Sequence, residues 1–269
     1  MIKAKKKFGQ NFLKDSTVLN KIIQAIPNDL AIINSDLVEI GPGLGDLTKE
    51  LLAVSRVRSY EIDKDLYEIL KQSFKKELED GQFELILGDA LEIWQKEGLS
   101  KNSYYLVANL PYYIATNIIL KAIDDEKCLG FIVMIQREVA LKFVMAENKL
   151  NSLAVIADLN GEMELLFDVP PTSFEPPPKV MSSVVKFSKK EKFNTLEKDD
   201  YPKFKEFLKR CFASPRKTLA KNLNLPKEQI DALYSELDLD KSIRSHQLNT
   251  TLLIKIFNYL KVKNGREQN

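Results

Sequence analysis

One histidine, two cysteines and one tryptophan occur among 269 residues, and no apolar stretch approaches the ~20 residues that span a bilayer. Each scarcity excludes something. Cys128 and Cys211 lie far apart without ligand-like spacing, so neither a disulfide framework nor a metal site is expected, and both read as small core residues. His246 sits in a polar segment with no serine or cysteine nucleophile in its context, which argues against histidine-based catalysis and for a surface position. The N-terminus, MIKAKKKFGQ, carries charge with no apolar run behind it, so a cytoplasmic chain without membrane association is expected.

What is present suits a sizeable core: 44% of residues are hydrophobic and 29% charged, enough for one large domain or one plus a small companion. Net charge is only +2, but it is unevenly spread. Lys3, Lys5, Lys6, Lys7 and Lys14 face only Asp15 over the first fifteen positions, and a second basic stretch runs from Lys186 to Lys221. Such blocks either keep a surface solvated or form a phosphate-binding footprint, and composition leaves both readings open.

Along the chain, Ser16 can cap a helix whose apolar residues Val18, Leu19, Ile22, Ile23 and Ile26 fall at helical spacing. Strands are expected at 36–40, 57–62, 83–87, 104–108 and 129–135, with helical patterns between them. This is the grammar of crossover units and predicts a parallel sheet. Then the rhythm changes: 153–159 and 162–169 read as two strands joined at Asn160-Gly161, a dipeptide suited to a tight hairpin turn. VPPTSFEPPPKV, with five of the eleven prolines, reads as a stiff loop before a further strand at 182–187. After the polar KKEKFNTLEKDD only helical patterns remain. The expected division is therefore 1–190, an α/β domain with an N-terminal arm, and 191–269, a small all-α domain.

VEIGPGLGDLT follows the first of these strands and opens a helix, so Gly41 and Gly43 let a ligand approach the backbone. A dinucleotide fingerprint wants a glycine where Asp46 stands, and that carboxylate at a helix start would repel a pyrophosphate. No Gly-Lys-Ser/Thr ending of a triphosphate loop is present either. A nucleoside without phosphates remains. Glu61, ending the second strand, can accept both ribose hydroxyls, and Asp89 in GDAL can accept from an adenine amine. S-adenosylmethionine fits this pattern, which makes the sheet a Rossmann-like class I methyltransferase sheet, parallel with an antiparallel hairpin strand.

NLPYY, Asn109 to Tyr113, ends the fourth strand. An adenine amine is a poor nucleophile because its lone pair is delocalised into the ring. The Asn109 side-chain oxygen and the Leu110 carbonyl could both accept its hydrogens, Pro111 fixes the turn that makes them converge, and Tyr112 offers a face for a purine.

The ordered set FGQNFL, EIGPGLG, EID, GDAL, NLPYYI, QREV and PPTSFEPPPKV closely resembles the rRNA adenine N6,N6-dimethyltransferases of the KsgA/RsmA type, over nearly the whole chain. The resemblance implies that Asn11, Leu13, Gly41, Glu61, Asp89 and Asn109 contact S-adenosylmethionine. It implies that Asn109 to Tyr112 form the target pocket, with Phe174 a second stacking aromatic opposite Tyr112. It also implies two adjacent adenosines of small-subunit (16S) rRNA as substrate, the assembling 30S subunit as partner, a helical domain that binds RNA, a role in ribosome biogenesis and no metal. A monomer is expected.

Two positions depart from the family pattern: Asn117 stands where a proline is common, and Pro215 replaces an arginine of the proposed RNA-binding face. Three other functions suit parts of the pattern: a large-subunit rRNA adenine dimethyltransferase, a non-catalytic RNA-binding assembly factor on the same scaffold, and a nicotinamide-dependent oxidoreductase. Asp46 speaks against the last.

Overall fold

Strands that read as unbroken apolar runs must be covered on both faces, and here helices cover them. The computed structural model describes residues 5, 8–28, 35–145, 149–190 and 196–266; Lys3, Lys6 and Lys7 of the N-terminal basic block lie outside them. A two-residue strand β1 (Phe12–Leu13) and helix α1 (Ser16–Gln24) precede the alternating part. That part comprises β2 (Asp36–Ile40), α2 (Asp46–Leu52), β3 (Val57–Glu61), α3 (Lys64–Ser73), α4 (Lys75–Glu79) and β4 (Phe83–Leu87). It continues through α5 (Ala90–Glu97), β5 (Tyr104–Asn109), α6 (Ala115–Asp124), β6 (Cys128–Gln136) and α7 (Arg137–Phe143). Next come α8 (Ser152–Asn160), β7 (Gly161–Val169), β8 (Phe174–Glu175) and β9 (Ser182–Lys189). The last helices are α9 (Tyr201–Cys211), α10 (Leu219–Leu223), α11 (Lys227–Glu236) and α12 (Thr250–Arg266).

A seven-stranded sheet runs in the order β4-β3-β2-β5-β6-β9-β7. β2 to β6 pair in parallel, and β9 lies antiparallel to β6. From β2 the chain builds outward through β3 and β4, then returns to the other side of β2 to lay down β5 and β6. The point of reversal opens a crevice at the carboxyl ends of β2 and β5, the place where sheets of this kind bind ligands.

The described residues divide into two compact units. One runs to Leu141 and resumes over Glu164–Lys189; the other takes Lys142–Met163 and the chain from Lys190 onward. The core of the first joins the inward faces of α1, α2 and α3 to the sheet through Leu19, Ile22, Leu51, Leu70, Val107 and Ile132. In the second, Phe204, Phe207 and Phe257 pack ring on ring at 5.3–5.8 Å, with α8 against α9 and α12. Cys128 and Cys211 are buried, as core residues should be, and burial pushes both thiols up to about 12.

Three local expectations need correction or refinement. Residues 153–159 are not a strand: they lie in α8, and Asn160-Gly161 is a helix-to-strand junction rather than a hairpin turn. Asn151 caps that helix, accepting from the amides of Leu153 and Ala154, while the Asn160 side chain bonds Ile156 O and Tyr201 Oη. Five of the helix's nine residues are buried, so its apolar run carries no face to betray its period, and such runs look alike as helix or strand. The neighbour of β7 in the sheet is instead β9. Second, Asp15 rather than Ser16 caps α1, accepting from Thr17 N and Val18 N. Third, Pro215 falls in the turn closed by Lys217 N to Ser214 O, at the position where a fixed φ favours a turn. Asn117 occupies the exposed third position of α6, which forms without a proline there.

Gly130 shows how tightly β5, β6 and β9 pack. A Cβ there would lie 2.5 Å from the Phe187 carbonyl oxygen and 2.9 Å from the Tyr105 ring. Backbone cannot step aside in the middle of a sheet. Gly130→Ala is expected to cost about 2–3 kcal/mol, lowering the thermal midpoint by roughly 5–10 °C in a calorimetric scan.

Candidate functional site

The carboxyl ends of the parallel strands present four of the expected residues in sheet order: Asp89 beyond β4, Glu61 ending β3, Gly41 beyond β2 and Asn109 ending β5. Three inter-strand spacings separate the first from the last, about 14 Å. An adenosine extended by a sulfonium amino acid is itself a linear molecule of adenine, ribose, sulfur and amino acid, and it can lie along such a row.

Backbone bonds continue the ladder into the loops. Gly41 N donates to Tyr60 O (2.9 Å), Gly88 N to Glu61 O (2.9 Å) and Leu110 N to Met134 O (3.1 Å), so each loop leaves its strand from a fixed point. The Glu61 carboxylate, 3% exposed, ties the glycine loop to β3: Oε2 accepts from Gly43 N at 3.2 Å and Oε1 from Asp63 N at 2.8 Å. Burial raises its pKa to about 7 against those two bonds, and the charge of Asp63 adds to the rise. Asp89 caps α5 by accepting from Leu91 N at 2.8 Å.

The N-terminal arm lies across this edge. The Phe12 ring would sit 3.0 Å from a Cβ on Gly43, where φ is +63°, so only glycine allows the arm and loop to meet so closely. Lys5 Nζ pairs with Asp63 and Asp65 at 2.6 Å each, and Gln10 Nε2 donates to Asp63 at 2.8 Å. Lys14 Nζ pairs with Asp46 at 2.7 Å, the carboxylate that stands where a dinucleotide site would have glycine. Asn109 Nδ2 donates to Asn11 O at 3.1 Å, which fixes the amide's donor end on the arm and leaves Oδ1 as the end for a second partner.

Arm, glycine loop and NLPY corner enclose a cleft of about 600 Å³, part of it open to solvent. Asn11, Leu13, Gly41 and Gly43 line it, and so do the four residues Asn109, Leu110, Pro111 and Tyr112. Glu61 and Asp89 stand along the same edge outside that lining. Phe174 is not brought to the cleft: 2% exposed, it pairs with Leu13 in the short β1–β8 ladder and packs in the core with Val169 and Val184. The apolar partner strand explains the difference, since a ring beside Leu13 gains more by burial than by facing water.

Sequence reasoning missed Glu39. It lines the cleft at 1% exposure, and its Oε2 accepts from Thr48 Oγ1 (2.7 Å) and Ser59 Oγ (2.8 Å). Burial raises this carboxyl to about 7 despite both hydroxyls, with Glu61 adding to the rise. The signal was available, since an acid inside the apolar run LVEI must be satisfied or used. Glu39 and Asp46 are the charged side chains among the lining residues, both acidic. Asp46 is neutralised by Lys14, and burial leaves Glu39 half-protonated near pH 7, so the lining carries no cation aimed at a phosphate. Among the described residues, no group of three or more His, Cys, Asp or Glu side chains could hold a metal ion.

Residues 1–262 match the sequence profile of the family described as ribosomal RNA adenine dimethylase. The protein called ribosomal RNA small subunit methyltransferase A in Campylobacter curvus is 53% identical, the match covering 100% of this chain and 96% of the relative. Its namesake in Aliarcobacter butzleri is 49% identical, with 99% of both chains covered. Among solved structures, a dimethyladenosine transferase from Plasmodium falciparum superposes with a TM-score of 0.77 at 27% identity, covering 94% of this chain and 98% of the other. The 23S rRNA methyltransferase ErmE reaches 0.71 at 21% identity, covering 93% and 100%, a likeness of fold.

Proposed function

The chain belongs to the ribosomal RNA adenine dimethylase family, and from that premise we propose how its residues carry out the S-adenosylmethionine-dependent dimethylation of adenine N6 in 16S rRNA, a step of ribosome biogenesis. The observation that carries the assignment of residues is the cleft itself: an amide and a proline-fixed tyrosine meet a glycine loop at the carboxyl edge of the sheet.

Bound in the row of strand ends, the donor supplies a methyl group on a sulfonium. Asp89 takes the adenine amine, Glu61 the two ribose hydroxyls, and Gly41 and Gly43 let the amino-acid portion pass close to backbone. Asn11 and Leu13 close the cleft from the arm. At its far end Asn109 Oδ1 and the Leu110 carbonyl accept the two hydrogens of the target amine. This draws the nitrogen toward tetrahedral geometry and aims its lone pair along the line of displacement. Tyr112 stacks on the purine, and Pro111 keeps amide and carbonyl convergent. A second ring contact from Phe174 requires the β1–β8 pair to part. Catalysis comes from positioning and from exclusion of water around dispersing positive charge.

The substrate is read as two adjacent adenosines in an unpaired segment, because a stacked, paired base cannot enter such a corner. Lys209, Arg210, Arg216, Lys217 and Lys221 are the proposed phosphate contacts of the helical unit. The protein is read as a monomer working without metal, and as cytoplasmic because its ribosomal substrate is. No helix among the described residues is long and apolar enough to cross a membrane. The test is incubation of labelled donor with unmethylated small and large subunits together, followed by mass spectrometry of the nucleosides from each rRNA. Dimethyladenosine at two neighbouring positions is expected; label confined to large-subunit rRNA would refute the assignment.

A further inference from the structure

β9 is the strand that breaks the parallel pattern, and because it runs backwards it starts where the others end. Its first residue, Ser182, stands opposite Gln136, the last of β6, and so arrives at the ligand edge of the sheet. Ser182 is 0% exposed, and its hydroxyl shares a 2.7 Å hydrogen bond with the hydroxyl of Tyr112, either group able to donate. The start of β9 is itself held. Arg137 N donates to Met181 O at 3.0 Å, and Ser183, the residue after Ser182, donates from Oγ to Asp168 Oδ1 at 2.6 Å. The other oxygen of Asp168 accepts from Arg137 Nε at 2.9 Å. Neighbouring strand residues point to opposite faces, so Ser183 anchors the backbone on one side while Ser182 presents its hydroxyl on the other.

The Tyr112 ring is thus held at both ends: at Cα by the turn after Pro111, and at the phenol by a buried hydroxyl on the antiparallel strand. A ring fixed at one end sweeps through rotamers and must be immobilised when a base arrives; one fixed at two ends has met that cost beforehand. We propose that Ser182 is a positioning residue for base capture, holding the Tyr112 ring in the plane on which the target adenine stacks. The inference rests on the stacking role assigned to Tyr112 above.

Steady-state methylation of unmethylated small subunits, with donor affinity measured separately by calorimetry, tests it in four variants. Ser182→Ala and Tyr112→Phe should each lower kcat/KM for the subunit about fivefold, the usual effect of one neutral hydrogen bond, and chiefly through KM. Donor affinity should stay within about twofold of the parent. The double variant should be no worse than the worse single, because both remove the same bond. A merely structural Ser182 would give losses that multiply in the double variant, or a fall in donor affinity alongside, and either overturns the proposal. Tyr112→Phe keeps the ring and does not depend on Ser182→Ala folding. Tyr112→Ala separates the two levels. If it costs tenfold or more while the hydroxyl variants cost nothing, positioning by Ser182 fails and stacking stands; if Tyr112→Ala itself costs nothing, the stacking role fails and takes this proposal with it.

Discussion

Asn109→Ala slows methyl transfer in a single turnover by about 10²–10³-fold, the scale on which one preorganised polar contact to a changing charge usually matters. The amide gives its two ends to different tasks. Nδ2 holds Asn11 O on the arm at 3.1 Å, and Oδ1 is the end proposed to receive the substrate amine. Losing the first loosens one wall of the donor cleft and should weaken donor binding by less than about tenfold, the worth of one exposed-side hydrogen bond. Losing the second removes an interaction that strengthens only as the nitrogen becomes tetrahedral, so it appears in the rate and not in the affinity. Rapid-quench measurement with donor and subunit both saturating, beside calorimetric donor titration, separates the two. Equal losses in rate and affinity would show that Asn109 serves the donor alone.

Donor affinity should rise with pH through about 7. Burial raises Glu61 and Glu39 each to about 7 in the donor-free protein, and below that pH a proton must leave Glu61 before its carboxylate can receive the ribose hydroxyls. Kd is expected to improve about tenfold per pH unit below 7 and to level off above roughly pH 8. Glu61→Gln should abolish the slope and leave binding roughly 10–100-fold weaker at pH 8, the loss attached to a hydrogen bond that involves a charge. Glu39→Gln should keep the slope. The same shifts fix the sign of the stability change. Both carboxyls hold protons more tightly folded than unfolded, so their contribution is complete below the ordinary carboxylate range and is lost as pH rises through about 7. A donor-free thermal midpoint that falls between pH 5 and pH 8, and is flattened by Glu39→Gln, would agree; a rise across that window would not.

Much of this was written in local sequence. βαβ units declare themselves because each strand is an unbroken apolar run and each helix an amphipathic one, and turn chemistry marks the joins. The loop at Gly41–Gly43 and the corner at Asn109–Tyr112 are contiguous, so their chemistry could be read before any fold was known. What stayed hidden depended on partners distant in sequence. α8 is buried nearly all round and therefore shows no period. Glu39 looked like one more strand residue until Thr48 and Ser59 closed on it. Phe174 was placed correctly beside prolines, but its neighbour Leu13 lies at the opposite end of the chain and draws the ring into the core.

That pairing of β1 with β8 has a consequence for biosynthesis. Phe12 and Leu13 are made before the parallel sheet, yet their strand partners Phe174 and Glu175 emerge only after the whole of it has been translated. A nascent chain can thus raise the glycine loop and the NLPY corner while the flap that completes them still dangles. The cleft can be completed only after the parallel sheet has been made, by a segment made before it.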